Sequence, residues 1–237
     1  MAKVVVSLTM SLDGFIAGPN DGVDHPLGTR DGGRLFDWYV SGKTASKHGD
    51  ERFKPKGRNR EVVDEMFATA GAALTGRRTY DIAGGWNGTH PVNGMPVVVL
   101  THRAPDDVPK GGSKFTFTDD LHEAVAIARK AAGRKDVGVA GADVAQQCIR
   151  AGLVDEIYVH IAPMLLGDGV RLFEHLGSDS IQLQFIKAIA TPEATHLRYK
   201  VASRIEPRVH SRSPVRRRAN PRTGGGGTAR GRRGRTA

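Results

Sequence analysis

The chain has 237 residues, 39% of them hydrophobic and 25% charged, with 35 Lys and Arg against 25 Asp and Glu. That balance excludes a fully disordered chain, a collagen-like fibre and a disulfide scaffold, and it leaves room for one sizeable core. The positive excess sits at one end: residues 207–237 hold ten arginines and no acid, so the first 206 residues, with 25 bases and 25 acids, are neutral.

The single Cys148 has no partner for an intramolecular disulfide, and no CxxC pair is present for zinc or redox work. The opening MAKVVVSLTMSLDG is too short an apolar run for a signal-peptide core, and nothing approaches the ~18 apolar residues of a membrane span. The expected setting is therefore soluble and reducing, the cytoplasm.

In chain order, the valine-rich run Lys3 to Met10 predicts a buried strand, and RLFDWYV (Arg34 to Val40) a short helix. Asn59 suits the cap of a helix from about Arg60 to Ala70, with Val62, Val63, Met66 and Phe67 on one face. A brief strand over Ala72 to Thr75 leads through Gly76 into a helix at Arg77. Strands follow at Pro96 to Thr101 and Lys114 to Thr118. Thr118, Asp119 and Asp120 then open a helix, with a hydroxyl and two acids at its positive end, that stops at Gly133.

Asp136 to Ala140 is a strand, Gly141 opens a helix closed at Gly152, and Ile157, Val159 and Ile161 alternate along another strand. Two late strands, about Ile181 to Ala190 and Thr195 to Arg204, read as an antiparallel pair. Alternating strands and helices predict an α/β fold with a mostly parallel sheet covered on both faces and an antiparallel end. Beyond Glu206 the Arg, Gly and Pro bias cannot bury enough surface to offset its ordering entropy, so 207–237 is expected to be a disordered tail.

Two strand–glycine–helix junctions carry the chemical signal. In AALTGRRTY (Ala72 to Tyr80), Gly76 allows close backbone approach, while Arg77, Arg78 and Thr79 add two guanidinium groups and a hydroxyl at a helix start. In VGVAGADV, Ala140, Gly141, Ala142, Asp143 and Val144 form a second turn suited to a pyrophosphate. Two such junctions in one α/β body point to a dinucleotide, bound at the carboxyl ends of the strands. Gly42-Lys43-Thr44 lacks the first glycine and the preceding strand of a P-loop. Scattered histidines and the absence of GxSxG leave metal and serine-hydrolase chemistry without support.

The segments SLTMSLDGFIAGPN, LTGRRTYD, VVVLTHR and GVAGADVAQQCIRAGLVDEIYVHIAPMLLGDGVRLFE together resemble the dihydrofolate reductase-like family. They look closest to the reductase domain at the C-terminus of the bifunctional riboflavin-biosynthesis deaminase-reductase, from about Lys3 to Ala202. The resemblance implies a three-layer α/β/α fold, NADPH as hydride donor and a homodimer. It places Gly76, Arg77, Arg78 and Thr79 at the cofactor phosphates. Leu100, Thr101, His102 and Arg103 fall beside the adenine and its ribose 2′-phosphate, and Ala140 to Val144 over the pyrophosphate. Ser11, Leu12, Asp13 and Gly14 match the loop between nicotinamide and substrate. The family usually has Gly-Gly where this chain has Ala140-Gly141, and the added Cβ narrows that turn.

Asp13 is the candidate catalytic proton donor or substrate anchor, and Trp38, with Tyr39, the candidate wall of a planar substrate's pocket. The expected reaction is hydride transfer from NADPH to a C=N or C=O bond of a small heterocyclic or phosphorylated metabolite. The named example is the riboflavin intermediate 5-amino-6-(5-phosphoribosylamino)uracil, whose ribosyl group becomes ribityl. Two alternatives stay open. Reduction of dihydrofolate would use Asp37 as the carboxylate facing the pterin, and a non-enzymatic role would bind nucleic acid through the arginine tail.

Overall fold

A computed structural model describes residues 1–202, and the arginine-rich 207–237 lies outside the described residues, with the expectations of disorder and nucleic-acid binding made for it. The central strand β1 (Val4–Ser11) buries Val4, Val5 and Val6 together. That pattern, with no polar alternation, is what a strand covered on both faces requires. Strands β3 (Ala70–Gly76) and β7 (Glu156–Ala162) have the same character, while β6 (Asp136–Ala140) buries Val137 and Val139 in alternation. With β4 (Val97–Leu100), β5 (Phe115–Thr118), β9 (Leu183–Ala190) and β10 (Thr195–Val201) they form one eight-stranded sheet in the order β5-β4-β3-β6-β1-β7-β10-β9. Every pairing is parallel except those of β10, which is antiparallel to both neighbours.

Helices α3 (Leu121–Ala132) and α4 (Ala142–Arg150) cover one face. Val4, Val6, Leu74, Val139, Val144 and Ile149 pack there. Helix α1 (Gly57–Thr69) and the 3₁₀ segment Arg30–Tyr39 cover the other, with Val5, Trp38, Val62, Val63, Phe67 and Tyr158 in its core. Helix α3 begins as its sequence implies. Asp120 caps it, its side chain accepting from the Glu123 amide at 2.6 Å, and Gly133 at φ 66° closes it.

Helix α1 does not. It is capped at Lys56, and Asn59 lies inside its first turn, 1% exposed, with its amide turned into the core. The reason is a buried polar chain. His160 Nδ1 meets His196 Nδ1 at 2.8 Å, His196 Nε2 meets Asn59 Oδ1 at 3.0 Å, and Asn59 Nδ2 donates to Glu193. An acceptor at Asn59 Oδ1 requires the proton of His196 on Nε2, which leaves His196 Nδ1 to accept from His160 Nδ1–H. Burial holds both rings below the usual imidazole range, which favours their neutral forms.

Two further strands, β2 (Phe15–Ala17) and β8 (Val170–Arg171), pair as a separate ribbon beside the cleft. At three and two residues they are too short for any alternation to show in the sequence. Among the described residues no helix is long and apolar enough to cross a membrane.

Candidate functional site

The carboxyl ends of β1, β3 and β6 open onto one cleft of about 260 Å³. Leu8 and Thr9 come from β1, Gly76 from the end of β3, and Ala140 from the end of β6, continuing into Gly141 and α4. Parallel sheets place ligands at this end, where the backbone leaves each strand and a helix begins. A larger groove of about 400 Å³ lies at the opposite end, around Lys3, Asp155, Glu156 and Lys200, far from both glycine junctions.

The two junctions expected to meet do meet. Gly76, Arg78 and Thr79 face Ala140, Gly141, Ala142, Asp143 and Val144 across the cleft. Gly141 has φ 97° and ψ 142°, a backbone state L side chains rarely adopt. A Cβ built there would lie 2.5 Å from Thr79 Oγ1, so the absence of a side chain is what lets the two junctions approach. No side chain caps α4, and the first amides of a helix have no intrahelical partner, so this end presents free N–H groups and the positive dipole end. Ala140 lines the cleft without closing it, and its carbonyl accepts from Thr75 Oγ1 at 2.9 Å.

A second chamber of about 220 Å³ shares Gly76 and Asp143 with the first and is lined by Arg77, Leu100, Thr101, His102 and Asp119. Arg77 donates to Asp81 at 2.8 Å and to the Arg103 carbonyl at 2.7 Å. The Arg103 guanidinium pairs outward with Asp106, its side chain 80% exposed, and does not line this chamber.

The N-terminal expectations need correction. Asp13 does not line the cleft. It accepts from Ser11 Oγ at 2.5 Å and from the backbone amides of Leu166 and Gly167 at 3.1 and 2.7 Å. The Ser11 hydroxyl above all, with those amides, holds its carboxyl at about 2. An ionised anchor between the β1–β2 turn and the 163–169 loop is not a proton donor at neutral pH. Ser11 is fully buried, its oxygen also accepting from the Phe15 amide, and Gly14 at φ 92° serves the turn.

Trp38 is 1% exposed and belongs to the core. Its ring packs 4.8 Å from both His160 and His196, and its Nε1 donates to Thr9 Oγ1 at 3.2 Å. It shapes the cleft only through Thr9. Phe36, two residues earlier, is the aromatic that lines it. Asp37, the carboxylate a pterin would need, is 65% exposed beside Arg34 and off the cleft. Sequence reasoning also missed Asp21, Pro26 and Leu27, which the loop after β2 brings over the opening.

The family model for the RibD C-terminal domain matches residues 2–197, most of the chain. The chain belongs to the RibD C-terminal domain family. Its architecture is a layered α/β arrangement around a mostly parallel sheet with an antiparallel end, as expected from the sequence. Among solved structures it is similar to a candidate riboflavin biosynthesis protein from Shewanella sp. PV-4, at 25% identity and a TM-score of 0.59 over 85% of this chain and 99% of that one.

It is also similar in fold to the Thermotoga maritima diaminohydroxyphosphoribosylaminopyrimidine deaminase/5-amino-6-(5-phosphoribosylamino)uracil reductase, at 14% identity and TM-score 0.53 over 85% of this chain. Acinetobacter baumannii RibD aligns at 18% identity and TM-score 0.52, again over 85% of this chain. The match covers 57% and 58% of those two chains, so this chain spans little more than half of their length. No curated protein matches the sequence.

Proposed function

We propose that this protein is a nicotinamide-dependent reductase with NADPH as donor, acting on a C=N or C=O bond of a small heterocyclic or phosphorylated metabolite. The observation that carries the reading is the cradle at Gly141, which a single Cβ would fill, facing Thr79 across two adjoining chambers. Those residues fit a dinucleotide. Gly141, Ala142 and the start of α4 would hold the pyrophosphate with Arg78 and Thr79, while Arg77, Leu100, Thr101 and His102 would hold the adenosine end. When bound, the cofactor supplies a hydride from its nicotinamide ring. Leu8, Ile16 and Phe36 add apolar lining to the same cleft, which would help keep water from a bound nicotinamide.

Family membership favours 5-amino-6-(5-phosphoribosylamino)uracil as the substrate, with ribosyl reduced to ribityl. Incubating the full chain with that compound and NADPH should give a product heavier by two hydrogens as the nicotinamide is oxidised. Unchanged substrate under conditions where NADPH binds would exclude it. Dihydrofolate is the weaker reading, because Asp37 does not reach the cleft.

We also propose a cytoplasmic homodimer in which a second copy covers β9. That edge strand exposes Leu183, Phe185 at 66% and Ile186 at 43%, an open apolar edge of the kind that pairs with another chain. Sedimentation velocity should find a dimer for the natural chain and a monomer for Ile186→Lys. Identical sedimentation of the two would place the contact elsewhere.

A further inference from the structure

The Gly18–Thr29 loop arches over the cleft and is closed at its neck by its own backbone. Gly18 N–H donates to the Leu27 carbonyl at 2.9 Å and Thr29 N–H to the Pro19 carbonyl at 2.7 Å. A Cβ on Gly28, at φ 79°, would fall 2.2 Å from the Gly18 oxygen, so the two ends of the loop touch backbone to backbone. Such a neck holds the loop together as a unit while leaving its tip to be fixed by other contacts.

The tip is fixed by Asp21. Its carboxylate receives Arg78 Nη2 at 2.7 Å and Nε at 3.3 Å, and its carbonyl receives the same Nη2 at 2.5 Å. Asp21 is 17% exposed and Arg78 66%. Arg78 is also the guanidinium that the cleft offers to an anionic ligand. A carboxylate of the chain itself already sits on that group, in the geometry a phosphate would use.

We propose that Asp21 latches the Gly18–Thr29 loop over the cleft by occupying Arg78, and that a ligand phosphate takes its place there, so that binding and release of the loop are one event. Asp21 then sets the affinity of the cleft for phosphate. Every phosphate-bearing ligand must outcompete it, and a ligand without phosphate leaves the loop shut. A ligand shifts an equilibrium only by its differential affinity for the two states, and the exchange of Asp21 for phosphate supplies that difference. Where the phosphate belongs to a nicotinamide cofactor, the inference rests on the function proposed above, but the latch itself does not need it.

The test is hydrogen exchange of the peptide spanning residues 18–32 in the full chain, with inorganic pyrophosphate as the probe. In the natural chain, pyrophosphate should speed exchange of the loop. Asp21→Asn should speed it without ligand and tighten pyrophosphate binding about two- to five-fold, the range for a mostly exposed ion pair. Arg78→Gln should free the loop and abolish its response to pyrophosphate. Natural exchange in Asp21→Asn, or pyrophosphate binding that leaves the loop as protected as before, would overturn the latch. A loop that opens in Asp21→Asn while neither chain binds NADPH would keep the latch and refute the reductase.

Discussion

Gly141→Val is expected to abolish nicotinamide binding and to lower stability at the same time. The strain at φ 97° and ψ 142° costs a side chain about 1–3 kcal/mol, because this region is open almost only to glycine. The Cβ would also stand 2.5 Å from Thr79 Oγ1, so the start of α4 and the start of α2 (Arg77–Ile82) must move apart. A dinucleotide held between them would lose its amides and Thr79 together, a loss of about 100-fold or more in affinity. Gly138→Ala is the control. It lies in the same segment, but its nearest neighbour to an added Cβ is the Ala72 carbonyl at 4.0 Å. Thermal denaturation and a cofactor titration should find Gly138→Ala near the natural chain and Gly141→Val far from it. Combining Gly141→Ala with Thr79→Ala relieves the clash but leaves the backbone strain and removes the Thr79 hydroxyl, so part of the loss should persist.

The second large effect is on folding in acid. Burial holds His160 well below the usual imidazole range, and the charge of His196 would add to that if it formed. Burial first, then the nearby Lys187, brings His196 down to about 4, and burial does the same for His90. For His196 and His90 the unfolded chain takes up a proton near pH 6.5 that the folded chain refuses until about 4, and His160 is shifted in the same direction. Stability from these groups is complete above about pH 6.5 and drains away as pH falls towards 4. A shift of that size corresponds to roughly 3 kcal/mol for His196 alone. Asp13 acts lower, between its ordinary 3.8 and about 2.

Urea denaturation at pH 7, 5.5 and 4.5 should show the loss, and a flat profile would mean that the imidazoles are solvated. Asn59→Ala should cost about 1–3 kcal/mol at pH 7, because it strands the buried His196 N–H, while the Thr191 hydroxyl keeps the Ala194 carbonyl as its acceptor. The cleft feels the same network. Trp38 rests on both rings and holds Thr9, which lines the floor, so acid should weaken ligand binding before it unfolds the chain.

What the sequence shows and hides follows from the distance between partners. The strands β1 and β4 are legible as valine-rich runs because both faces of the sheet are covered, and β3, β6 and β7 as short apolar segments. The two glycine turns are legible because turn chemistry is local. The role of Asn59 is not, since the histidine that turns it inward lies 137 residues further along the chain. Asp13 reads as a candidate donor until Gly167, 154 residues away, is seen to bind it. Trp38 and Phe36 carry the same aromatic signal, and only the path of the 3₁₀ segment decides which enters the core and which the cleft. Asp21 sits in a Gly- and Pro-rich loop with no periodicity at all, and its meaning appears only with Arg78 opposite.

The most direct measurement is a titration of the full natural chain with NADPH and with NADH, following nicotinamide fluorescence and thermal stability together. A ligand that binds only the folded state must raise the melting temperature by mass action. Saturable NADPH binding that stabilises the fold, and that Arg77→Ala weakens, is the result expected. No binding and no stabilisation at millimolar cofactor would contradict the reductase and leave the Gly141 cradle without its dinucleotide.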